Sequence, residues 1–204
     1  MSSVTQYWQE AWTESSKGVD LTNARVSGRA TKANPNKEDS KWWNEIGPLW
    51  VENYISWRKA NPNWKLWTAP DGNKAVELGL MPEIAGVQVK MVIDRVFEVD
   101  GELVIVDLKT SRNTPVSALQ LGFYKVGLEM QFGVPVKWGS YYMSRGGGLS
   151  GMIDLEEYTM EKIEYLVSNF DKARKSGIFL PNTSNCEYLC GLTEYCQFYT
   201  KKEK

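Results

Sequence analysis

Asp94, Asp107 and Lys109 have the residue types and the spacing for metal-assisted chemistry on a phosphodiester. Asp107 and Lys109 are two apart in an extended run, so they share one face of a strand. Asp100-Gly101 lies between two strand-like runs and signals a type I′ hairpin, because both turn positions need positive φ. Counting outward from a Val99–Glu102 pair puts Asp94 opposite Asp107, as a non-hydrogen-bonded pair with Cα atoms about 4.5 Å apart. A bulge between them would break that register. Two facing carboxylates at the end of a buried strand repel each other and lose hydration unless a cation or a proton compensates. A hard divalent cation such as Mg²⁺ suits them, since it takes one or two carboxylates plus water and phosphate oxygens. The Leu108 carbonyl between the two motif residues offers another oxygen. A cation held there would acidify a water, and Lys109 would orient that water or stabilise charge building on the phosphate. The competing reading of the same trio is an exposed ion-pair cluster at a sheet edge.

Composition removes other chemistries. The 204 residues contain no histidine, which excludes Ser-His-Asp and Cys-His sites, His-ligated zinc and histidine acid/base catalysis. A net charge of -1 gives no general attraction to nucleic acid, so contact with DNA must come from local basic groups. Candidates are Arg25, Arg29, Lys32, Lys37 and Lys41, then Lys172, Arg174 and Lys175, and Arg145 before three glycines. Taken singly, each reads as solvated charge. With 42% hydrophobic residues, no membrane-length apolar run and no signal-like N-terminus, the sequence suggests a soluble cytoplasmic protein. Three cysteines in one short segment make a poor disulfide framework.

The elements that must position the trio follow from pattern. Residues 4–13 read as a short helix with Tyr7, Trp8 and Trp12, and residues 15–40 as a polar loop. From Ser40 to Ala60 a helical stripe of Trp43, Ile46, Trp50, Tyr54 and Trp57 runs to a stop at Asn61-Pro62. Strands are expected over 75–80, 87–99 and 102–109, the last apolar on both faces at Leu103–Val106 like a central strand. Thr114-Pro115 predicts the start of a helix running to Phe132. A strand over 136–143 ends at a glycine-rich tip. Residues 158–176 form an amphipathic helix with Ile163, Leu166, Val167, Phe170 and Ala173 on its apolar face and Gly177 as its stop. The sum is one α/β domain over 1–204, a small mixed sheet flanked by helices, with a polar segment at 1–40 and a cysteine-containing segment at 178–204.

The stretch Gly86 to Asp94, then Asp107-Leu108-Lys109-Thr110, then Gln120-Leu121-Gly122-Phe123-Tyr124, resembles the PD-(D/E)xK nuclease superfamily and specifically its RecB-like branch, which includes phage exonucleases and CRISPR-associated adaptation nucleases. The resemblance covers residues 75–145 well and the cysteine segment loosely. It implies a restriction-endonuclease-like core, metal binding by Asp94 and Asp107, and action of Lys109 on the nucleophilic water. It also implies Mg²⁺ or Mn²⁺ as cofactor and DNA as partner. Gln120 and Tyr124 are one helical turn apart and face the same way. The resemblance sets them in the active site, against the alternative of a polar stripe beside a Leu119, Phe123 and Val126 core face.

Two departures from the family pattern stand out. Many RecB-like members add a histidine ligand from an upstream helix; here Glu45 or Glu52, two helical turns apart, or Glu77 on the strand before the hairpin, could substitute, or each is a solvated acid. Some relatives hold an iron-sulfur cluster on four cysteines. Cys186, Cys190 and Cys196 match three of them, and the missing fourth favours a packed thiol group over a cluster unless Glu187, Glu194 or an external ligand joins. The function expected is a metal-dependent DNA nuclease, an exonuclease of phage or mobile-element recombination or repair. The competing classes are a non-catalytic module that binds nucleic acid or a protein partner, and a cysteine-metal structural module. A homo-oligomer stays open, and no membrane association is expected.

Overall fold

The structure, a computed structural model, describes residues 3–23, 38–179, 195–196 and 198–199. Helix α1 (Ser3–Ser15) and helix α2 (Ser40–Ala60) precede the strands β1 (Lys65–Leu66), β2 (Val76–Leu80), β3 (Glu83–Ile84), β4 (Val87–Gln88), β5 (Met91–Val99) and β6 (Glu102–Lys109). Helix α3 (Leu119–Phe132), strands β7 (Trp138–Met143), β8 (Gly148–Leu149) and β9 (Ile153–Asp154), and helix α4 (Met160–Lys175) follow.

The mixed α/β sandwich expected from the pattern is what forms. β5 and β6 pair antiparallel through the Asp100-Gly101 turn, whose φ values of 52° and 84° are those a type I′ turn demands. Val99 faces Glu102 as counted, and α3 then carries the chain across so that β7 lies parallel to β6. β6 is thus a central strand, paired on both sides, and its Val104, Ile105 and Val106 are almost fully buried. Alternation sends Ile105 into a core shared with α3 and α4, while Val104 and Val106 enter a second core under Tyr54 and Trp57 of α2. Asp107 and Lys109, in phase with Ile105, therefore emerge on the α3 side.

The structure corrects several sequence expectations. The strand expected over 87–99 is broken at Val89-Lys90, because β3 and β4 form their own hairpin about Ala85-Gly86, both at positive φ. Helix α3 begins at Leu119, not at Pro115. The Tyr141 hydroxyl donates to the Ser117 carbonyl (3.1 Å), and the Ser117 hydroxyl accepts from Leu119 N–H (3.1 Å), so a tertiary tie fixes the segment that local propensity would have made helical. In α4 the buried stripe is Ile163, Val167 and Asp171, and Phe170 is exposed. Arg174 and Lys175 both pair with Asp171, which absorbs part of that basic cluster. No described helix is long and apolar enough to cross a membrane. Cys196 is a free, half-buried thiol; Cys186 and Cys190 lie outside the described residues, as do Arg25, Arg29, Lys32 and Lys37.

Candidate active site

Asp107 is 2% exposed at the end of β6, and burial raises its carboxyl pKa above the ordinary value against the pull of Lys109, with Asp94 adding to the rise. Lys109 Nζ lies 2.6 Å from Asp107 Oδ2. That contact is a short, charge-assisted one, which pulls the Asp107 pKa down against the effect of burial. Lys109 Nζ donates to Gln120 Oε1 (3.0 Å), and Gln120 Nε2 donates to the Tyr124 hydroxyl (2.8 Å). One continuous polar chain therefore runs from the strand acid to the helix phenol. Gln120 and Tyr124 share a face of α3, as their spacing requires, and that face is turned to the strand motif.

Asp94 reaches the site by an interruption in the sheet. The β5–β6 register holds from Val99↔Glu102 to Arg95↔Val106 and the paired positions end there. On the other side of β5, Val76↔Arg95 and Leu78↔Ile93 are paired, and the pairing skips Glu77, which lies across from Asp94 and has a φ of 49°. The side-chain alternation slips at the same place: Met91 and Ile93 face the α3 core, and so does Val96, three positions further on. An uninterrupted ladder would give the Leu108 N–H to the Ile93 carbonyl. Asp94 Oδ2 accepts it instead, at 2.7 Å. In an extended strand the N–H and C=O of one residue point the same way, so the Leu108 carbonyl also faces this gap.

The candidate third acids separate. Glu45 and Glu52 sit exposed on α2, which packs on the sheet face opposite Asp107 and Lys109, and Glu45 pairs with Lys41 (3.9 Å). Glu77 pairs with Arg95 (3.4 Å), and its charge acts on Tyr124 together with those of Asp107 and Asp94. Burial is the first cause that raises the Tyr124 pKa; the three acids add to it and the Gln120 bond opposes it. Among the described residues no three acids, cysteines or histidines converge as a metal site. What the site offers a cation is the carboxylates of Asp94 and Asp107 and the Leu108 carbonyl, an all-oxygen set that fits Mg²⁺ or Mn²⁺ and not a soft metal.

Tyr141 and Glu38 carry no mark in the sequence, and Arg145 has a different part from the one read there. Tyr141 lies beside Asp107 in the parallel register and takes Lys109 Nζ over its ring at 5.8 Å. Glu38 is 2% exposed and accepts from Arg112 Nη2 (2.7 Å) and from Arg145 Nη1 and Nη2 (3.0 and 2.7 Å). Arg145, read above as solvated charge at a tip, is instead clasped by Glu38, by the Thr110 carbonyl (2.8 Å) and by the rings of Trp42, Trp43 and Trp50 at 5.1–5.5 Å. This clasp ties the end of the Lys109 strand to the start of α2.

The model of the PD-(D/E)XK nuclease superfamily matches residues 2–197. The chain is 31% identical over 194 residues to the Gene 69 protein of Mycobacterium phage D29, covering 84% of this chain and 70% of that one. It is 28% identical over 217 residues to the Gene 69 protein of Mycobacterium phage L5, covering 86% of this chain and 73% of the relative. The crystal structure of SSO0001 aligns with 97% of this chain and 98% of its own, at 14% identity and a TM-score of 0.46.

Proposed function

Because the chain belongs to the PD-(D/E)XK nuclease superfamily, we propose that it is a divalent-metal-dependent deoxyribonuclease of the RecB-like branch, an exonuclease that processes phage or mobile-element DNA. A nuclease-type hydrolase is the coarser statement that the family and the phage relatives support directly. The finer reading is carried by one observation: the Asp107 carboxylate, buried at the end of β6, faces a lysine held between it and Gln120.

Asp94, Asp107 and the Leu108 carbonyl would hold the cation. Bound there, Mg²⁺ or Mn²⁺ would supply Lewis acidity to the phosphate and lower the pKa of a water. Lys109, fixed between Asp107 and Gln120, sets its ammonium where it can orient that water or neutralise charge growing on the phosphate oxygens. Tyr124, its pKa raised by burial, stays a neutral phenol at physiological pH and can donate to a phosphate. Of the three candidate acids Glu77, on β2 across from Asp94, would be the one to join it.

The test incubates end-labelled linear DNA with wild type, Asp107→Ala and Lys109→Ala, each in Mg²⁺, Mn²⁺ or EDTA. Label should be released by wild type in at least one metal, and by neither variant. Intact ends under every condition would sink the enzyme reading. The lack of a three-acid cluster among the described residues favours a second reading, a module that binds DNA without cutting it, and retained binding beside intact ends would select it.

A further inference from the structure

On the α2 side of the sheet, directly behind the Asp107 strand, lies a cleft of about 360 Å³. Its walls are the rings of Trp8, Trp43, Trp50 and Tyr54, and Arg95, Leu108, Thr110, Tyr142 and Ser144 also line it. We propose that this cleft takes up one unstacked base of the DNA strand being cut, next to the phosphate held at Asp94 and Asp107. The inference rests on the nuclease reading above and adds to it a binding subsite and a single-stranded substrate.

Four observations support it. First, the volume lies at the lower end of the range of about 300–1,000 Å³ for small-molecule pockets, which suits a single flat heterocycle. Second, Tyr142 lines the cleft, is 1% exposed, and its hydroxyl has no hydrogen-bond partner. A phenol that served only to fill a core would be better replaced by phenylalanine, because an unmade buried hydrogen bond is costly. A base edge carries donors and acceptors of the kind this hydroxyl lacks. Third, the cleft and the candidate metal site share their strands. Asp107 and Lys109 project to one face of β6 while Leu108 and Thr110 line the cleft on the other, and Asp94 and Arg95 divide β5 in the same way. β6 ends at Lys109, so the two sites lie on opposite faces of one strand end.

Fourth, the aromatic walls are fixed. The Arg145 guanidinium stacks over Trp43 and Trp50 from outside the cleft, and Trp8 is seated on α2 where Gly47 has no side chain to displace it. Rings held in place before binding lose little on stacking, and stacking on aromatic rings is tolerant of base identity. It also asks nothing of net charge, which in this protein is -1.

The experiment leaves the fold of the protein alone and alters the DNA. Single-stranded oligonucleotides each carrying one abasic nucleotide, walked position by position from the labelled end, are titrated against the full chain in EDTA by anisotropy. Parallel reactions in Mg²⁺ and Mn²⁺ report cleavage of the intact oligonucleotide. One position should weaken binding about tenfold and its neighbours should change it little. Tyr142→Phe, which removes only the orphan hydroxyl, should weaken the intact oligonucleotide severalfold and leave the oligonucleotide that is abasic at that position unaffected. A flat profile across positions, or an equal loss from Tyr142→Phe on both oligonucleotides, overturns the subsite whether or not DNA is cut. Absence of cleavage in the parallel reactions counts against the nuclease reading alone.

Discussion

Replacing Glu38 by glutamine should unfold the protein at markedly lower temperature, although Glu38 touches neither Asp107 nor Lys109. Its side chain is 3% exposed and takes three hydrogen bonds from two guanidinium groups. Glutamine keeps the shape, but it replaces an accepting oxygen by an amide that points donors at donors. The Arg112 arm is discounted, since that side chain is 57% exposed and an exposed pair is worth about 0–1 kcal/mol. Arg145 is 21% exposed and would stay among the three tryptophans without its anion. Breaking a buried pair from one side costs about 3–5 kcal/mol, and the residual exposure argues for the lower end, about 3 kcal/mol. At this chain length each kcal/mol moves Tm by about 2–4 °C, so Glu38→Gln should melt about 6–12 °C below wild type.

The measurement is thermal denaturation followed by tryptophan fluorescence, with Glu45→Gln as control. Glu45 is exposed and only 3.9 Å from Lys41, so its substitution should move stability by less than about 0.5 kcal/mol. Activity at a temperature where both proteins are folded should also fall for Glu38→Gln. Arg145 Nε holds the Thr110 carbonyl, and Ser144 N–H holds that of Lys109, so loosening Arg145 loosens the strand end that carries Lys109. A Glu38→Gln protein that melts within 2 °C of wild type would refute the clasp as a structural element.

Three other expectations follow from the site and the core. If Asp94 and Asp107 hold the cation, Mg²⁺ or Mn²⁺ at a hundred times its dissociation constant should stabilise wild type by about 2.7 kcal/mol over EDTA, and Asp107→Asn should show no such gain in a thermal melt. In EDTA the folded pKa of Asp107 lies above its unfolded value, so its contribution to stability is fully present below the unfolded value and is lost as pH rises through the folded one. Asp107→Asn should therefore melt above metal-free wild type at neutral pH, and the difference should vanish in a pH series taken below about 4; equal melting at pH 7 would contradict it. Gly122→Ala would set a Cβ 2.4 Å from the Tyr158 ring, and denaturant titration should register a loss of about 2 kcal/mol from overpacking between α3 and the turn that leads into α4.

What could be read from sequence was whatever short-range chemistry decides. Asp100-Gly101 is such a case: only a few residues accept two successive positive φ angles, and the turn then sets the register of a whole hairpin. Glu38 is the opposite case. It lies 74 residues from Arg112 and 107 from Arg145, within a polar stretch, and nothing local marks it as buried. Helix α3 failed in a third way, because the Thr114-Pro115 signal is sound and the Tyr141–Ser117 bond outweighs it. The slip in β5 did leave a trace that went unread. Apolar positions step from Met91 and Ile93 to Val96, a spacing of three where an unbroken strand would give two.

That slip changes what the facing aspartates require. Had the ladder run on, Asp94 would have faced Asp107 as a bare charge, and the pair would have needed a cation merely to coexist. Because β5 shifts phase at Asp94, one of its oxygens is spent on the Leu108 N–H, so backbone and not counter-ion fixes its place. Asp107 is anchored differently, by burial at the end of a strand paired on both sides and by Lys109. Asp107 thus carries the buried charge of the site, with the Lys109 ammonium as its counter-charge, beside the gap where the Leu108 carbonyl points. A site built this way holds its geometry before any cation arrives. Metal affinity should therefore respond far more to Asp107→Asn than to changes at Glu77, Glu45 or Glu52, and a titration in which Glu77→Gln costs as much affinity as Asp107→Asn would show that the third acid, not the phase slip, organises the centre.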